Sequence, residues 1–88
     1  MESPYTGERR ILLRRLAEAL PRYGLVSRMV GEEEPLLWVW HPQTGGQTLV
    51  FATPARDGWL FLWGQGGRGD AENLDHTARA LRDTLASA

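Results

Sequence analysis

Residues 59–69 read WLFLWGQGGRG, and two incompatible folds compete for them. Gly64, Gly66 and Gly69 match the G-x-G-x-x-G spacing of a dinucleotide-binding turn, behind a strand-like run and ahead of a helix-like one, DAENLDHTARALRDTLASA. Such a turn belongs to a parallel βαβ unit whose helix N-terminus receives a pyrophosphate. Only 19 residues follow Gly69, which is room for one helix and no returning strand. Asp70, Glu72 and Asp75 would also place carboxylates where the anion should lie. A kinase-type glycine loop joins two strands and a phosphate loop needs Gly-Lys-Ser/Thr, yet every basic residue of this chain is arginine. The glycines therefore read as a flexible exit from the last strand, with Asp70 capping the helix behind it.

Upstream, GLVSRMV gives a first strand over Leu25–Val30, PLLWVWH a second and QTLVFAT a third, with GWLFLWG as the fourth. The connectors PQTGG and PARDG have the Gly, Pro and Asp content of hairpin turns, so the strands should form an antiparallel meander. Before them, Leu12, Leu13, Leu16, Ala17 and Leu20 recur at helical spacing and predict a helix over residues 5–20. Ser3-Pro4 or Thr6 would open it; Pro21 and Gly24 would stop it. Leu74, Ala78, Leu81 and Leu85 form the stripe of the last helix, whose acidic Glu72 and Asp75 suit its dipole. The expected fold is α+β: a four-stranded antiparallel meander flanked by an N-terminal and a C-terminal helix (α-β-β-β-β-α), a two-layer sandwich in one domain over residues 1–88.

Composition narrows the chemistry. The chain is 42% hydrophobic and 24% charged with a net charge of −1, which is globular usage without a global pull on nucleic acid or anionic lipid. Cysteine is absent, so disulfides, thiolate ligands and thiol nucleophiles are excluded. The start MESPYTGERR has no apolar segment of a secretory signal, and the longest apolar run, LLWVW, is far too short to span a bilayer. These features predict a soluble, cytoplasmic protein.

No catalytic, metal or cofactor set emerges. His41 ends the second strand and His76 lies on the last helix, without metal-ligand spacing. Ser27 lacks a nucleophile elbow, and Glu32–Glu34 cluster in a turn rather than in separate environments suited to acid and base roles. Residues 1–30 hold six arginines against three glutamates. Arg10 and Arg14 on the first helix are thus candidate polar contacts, although Arg14, Glu18 and Arg22 at i, i+4 spacing also suit a solvated face.

The tryptophans are the informative feature. Trp38 and Trp40 share one strand face, as do Trp59, Phe61 and Trp63, with Phe51 on the strand between. The opposite faces carry Leu37, Val39, Leu60 and Leu62, so both faces are apolar, whereas a half-solvated sheet should alternate with polar residues. A three-residue turn at Arg56–Gly58 would pair Phe51 with Trp63, while a two-residue Asp57-Gly58 turn would split the aromatic sets. Either the helices cover one face each and the tryptophans are core, or both cover one face and the other awaits a partner.

The stretch LLWVWHPQTGGQTLVFATPARDGWLFLWG, with its His41-Pro42 hairpin, its FATPARDGW turn and its arginine-only basic set, resembles part of the small uncharacterised proteins common in high-GC actinobacteria. That resemblance implies a bacterial cytoplasmic protein and no particular activity. The expected function is a non-enzymatic interaction or regulatory module. Its surface would be Trp38, Trp40, Phe51, Trp59, Phe61 and Trp63, with a protein partner or a second copy, and with no nucleic acid, membrane or cofactor. The alternative is a small-molecule binder with a tryptophan-lined pocket and His41 or Arg56 at its mouth.

Overall fold

Leu13 and Leu16 carry the first apolar stripe into the core, and the helix around them, α1, spans Thr6–Ala19 in a computed structural model that describes residues 5–87. Ser3 and Pro4 lie outside the described residues. Thr6 is no cap: it sits inside the helix, and its hydroxyl donates to the Glu33 carbonyl (3.1 Å). Pro21 does not end the helical path but turns it into a 3-10 segment, Leu20–Tyr23, which closes at a left-handed Gly24. A missing N–H is tolerated at the start of such a segment.

Five strands follow: β1 (Val26–Val30), β2 (Leu36–Trp40), β3 (Gln47–Ala55), β4 (Gly58–Trp63) and β5 (Gly67–Asp70). They pair in chain order, each antiparallel to the next, and α2 (Leu74–Ala86) closes the described chain. Pro54 is accommodated because it lies where β3 pairs with β4 alone, beyond the last β2 pair, Leu37↔Val50. Among the described residues no helix is long and apolar enough to cross a membrane.

Both helices lie on the same face of the sheet. Leu13, Leu16 and Leu20 from the N-terminal helical segment and Ala78, Leu81 and Leu85 from α2 meet Leu37, Val39, Val50, Ala52, Phe61 and Trp63 in one buried cluster. Tyr23 ties the two helical segments together, donating from its hydroxyl to Asp75 of α2 (3.1 Å) beneath the Arg82 guanidinium. Arg22, expected in a ladder with Arg14 and Glu18, instead approaches Asp75 (3.8 Å).

The fifth strand corrects the four-stranded expectation, and packing explains it. GRGD reads as a loop because glycine has low strand propensity. Yet a Cβ at Gly67 would overlap the Trp63 indole, and one at Gly69 would overlap the Thr77 side chain. Glycine lets the strand pass beneath a large ring and beneath α2, where the buried Thr77 hydroxyl donates to the Asp70 carbonyl (3.2 Å). Asp70 is consequently not the helix cap. Its carboxylate accepts the Glu72 N–H (2.9 Å) in the turn after β5, while Asn73 caps α2 by accepting the His76 N–H (3.2 Å).

This packing predicts unequal costs for the same substitution. Gly69→Ala should destabilise by about 1–3 kcal/mol through overpacking against Thr77. Gly64→Ala, whose Cβ would meet only ordinary contact with Thr48 at 3.6 Å, should stay within about 0.5 kcal/mol. Urea unfolding of the two variants measures the difference.

Candidate functional site

Side chains alternate along a strand, so the helices on one face leave every second residue on the other. In β2 the buried Leu37 and Val39 point to the helices, which turns Leu36, Trp38 and Trp40 outward. In β3 the buried Val50 and Ala52 leave Leu49, Phe51 and Thr53 outward. Cross-strand pairing then assembles the open face in rows. Val26, Trp40 and Gln47 form the first and Arg28, Trp38 and Leu49 the second. Val30 with Leu36, beside Phe51, Leu62 and Arg68, form the third; Thr53, Leu60 and Asp70 form the fourth.

The result is a face on the order of 400 Å² in projection, from strand spacing and rise, apolar at its centre and polar at Gln47, Arg28, Arg68, Thr53 and Asp70. Val26, Trp38, Leu49 and Phe51 are 40%, 36%, 50% and 41% exposed. The Trp38 and Trp40 rings pack at 4.9 Å between centroids, and Trp38 Nε1 donates to Gln47 Oε1 (2.8 Å). That bond fixes the indole with its polar edge satisfied and an apolar surface outward. A shallow depression of about 500 Å³ lies beside it, lined by Val30, Trp38, Gln47, Thr48 and Leu49.

The six aromatic candidates are therefore divided. Trp38, Trp40 and Phe51 stand on the open face; Trp59, Phe61 and Trp63 stand on the helix-covered one, with Phe61 and Trp63 buried. The division follows from a two-residue turn at Arg56–Asp57, with Ala55 paired to Gly58 and Phe51 to Leu62. Neither turn expected from the sequence forms. Trp59 packs edge-on against Tyr5 (5.6 Å) beneath α1.

The polar candidates do not converge. Arg10 of α1 donates to the Glu32 carbonyl, and its neighbour Arg9 donates to the Ala52 carbonyl (3.1 Å), so these side chains tie α1 to the β1–β2 turn and to the central strand. Arg14 is exposed on α1. Arg56 is exposed in the β3–β4 turn, at the opposite end of β3 from the hairpin that holds His41. Sequence reasoning missed Leu49, Arg28 and Arg68. Strand alternation alone would have put Arg28 between Val26 and Val30, but only the pairing register shows that it borders Trp38.

His41 is buried and structural. The Gln43 and Thr44 N–H groups donate to its Nδ1 (3.2 and 3.3 Å), which leaves the proton on Nε2. The same turn reaches α2: the Thr44 hydroxyl donates to the Leu85 carbonyl (2.7 Å) and accepts the Gly46 N–H (3.1 Å). Among the described residues no group of three or more His, Asp or Glu is placed to hold a metal ion. The glycine motif is a hairpin between β4 and β5, Trp63 pairing with Gly67. No family model, no curated protein and no solved structure matches this chain.

Two contrasts test this assignment. Trp63→Ser should cost about 3–5 kcal/mol as a core truncation, whereas Leu49→Thr should cost no more than about 1 kcal/mol, both read from denaturant midpoints. At His41, ¹⁵N spectra should show the Nε2–H tautomer. His41→Leu should cost about 1–3 kcal/mol by orphaning two turn N–H groups, and His41→Asn, which restores an acceptor, should cost less.

Proposed function

We propose that this chain is a non-enzymatic interaction module of the bacterial cytoplasm, working through the open face of its sheet. The observation that carries the reading is the apolar plane built from Val26, Trp38, Leu49 and Phe51 in register, with a complete helical layer already filling the other face. The largest apolar patch on a folded chain is often functional, and tryptophan is enriched where interaction sites bind most strongly. Water against this face is held there at a cost that a partner would remove. A second reading, a small-molecule binder, draws support from the depression beside Trp38, where an apolar ring could lie against the indole.

The experiment is a paired one. An apolar fluorescent dye should bind the native chain, and the double variant Leu49→Gln, Phe51→Gln should lose most of that signal while keeping the native unfolding midpoint. Undiminished dye binding by the variant would sink the proposal. Light scattering over a concentration series then separates a homodimer from a receptor for another molecule.

A further inference from the structure

The open face has an apolar centre and a cation on each edge strand. Arg28 projects from β1 beside Trp38, and Arg68 projects from β5 beside Leu62. Both are exposed, and neither is in an ion pair among the described residues. The nearby carboxylates lie beyond the second and third rows, Asp70 in the fourth and Glu32–Glu34 in the turn that joins β1 to β2. The Glu32–Glu34 turn is held through its carbonyls by Thr6 and Arg10 of α1, and Asp70, one row beyond Arg68, accepts the Glu72 N–H. Resting on the reading of this face as an interaction surface, we infer that its occupant is a single amphipathic helix of a partner protein, with an apolar ridge and acidic flanks, laid over Trp38, Leu49 and Phe51 between Arg28 and Arg68.

Dimensions and charge select this occupant. Four inter-strand steps put β1 and β5 about 19 Å apart. A helix is about 10–12 Å wide with its side chains, so Asp or Glu on its two flanks reaches both guanidinium groups while its ridge covers the centre. A second copy fits less well. A two-fold dimer with aligned sheets would bring Arg28 alongside Arg68 or Arg28 of the other copy, setting like charges together over a desolvated face. A nucleic-acid strand would find aromatic rings but few cations: two arginines among Leu36, Leu49, Leu60 and Leu62 in a chain of net charge −1.

Two synthetic helical peptides of about five turns test the inference, both free of tryptophan and sharing one leucine ridge. One carries glutamates on both flanks and the other lysines. Tryptophan fluorescence and amide NMR shifts of the full chain should report the acidic peptide binding at least about tenfold more tightly, with weakening as salt rises. The double variant Arg28→Glu, Arg68→Glu, exposed at both sites, should reverse the preference while keeping the native unfolding midpoint. Equal affinities mapped to Leu49 and Phe51 would overturn the acidic partner while leaving the face as an interaction surface. So would a dimer burying Trp38, or binding only of an oligouridylate or of anionic phospholipid vesicles. No perturbation of Leu49 or Phe51 by peptide, oligonucleotide, vesicle or self-association would overturn both readings.

Discussion

Two residues, Arg56 and Asp57, turn β3 into β4, and the pairing of Ala55 with Gly58 on either side of them sets which aromatic side chains become core. Because strand side chains alternate, a turn one residue longer or shorter would rotate all of β4 to the opposite face. With the observed register, Trp59, Phe61 and Trp63 lie beneath the helices, and Leu60 and Leu62 extend the outer plane. The core then has enough aromatic volume to be filled by Leu13, Leu16, Leu81 and Leu85 from one side only. A sheet whose interior is complete on one face can leave the other apolar without forfeiting a core.

The glycine-rich strand solves a second packing problem with the same economy. α2 lies close to β5 because Gly69 has no side chain to hold it away from Thr77, and the Trp63 indole lies flat over Gly67 for the same reason. A polar anchor secures each end of that helix. At the first turn, Thr77 donates to Asp70 and Asn73 receives the His76 N–H; at the last, Leu85 receives the Thr44 hydroxyl. The His41 turn thus fastens the C-terminal helix as well as joining two strands, which gives a non-catalytic reason for a buried imidazole.

Several features singled out in the sequence have structural roles in the fold. The arginines of α1 nearest the sheet brace backbone carbonyls, the histidine builds a turn and the glycine motif builds a strand. Arg28 and Arg68 differ from them in lying on the apolar plane without a carboxylate partner among the described residues. An apolar centre with cations at two edges offers shape and charge together, which a uniformly apolar patch does not.

Much of this architecture was legible in the chain. Leucines at helical spacing marked α1 and α2, and Gly, Pro and Asp connectors marked an antiparallel meander, because these signals act over a few neighbouring residues. The surplus of apolar strand positions likewise announced that both sheet faces would be apolar. β5 was not legible, since its glycines are chosen by Trp63 and Thr77, which meet them only after folding. Nor was the division of the tryptophans, since period-two alternation shows which residues share a face within one strand but not which face meets the helices. Local chemistry in the sequence determined both helices, the first four strands and their antiparallel order. The tertiary structure alone decided what is core and what is surface, because that choice depends on register and on where both helices come to rest.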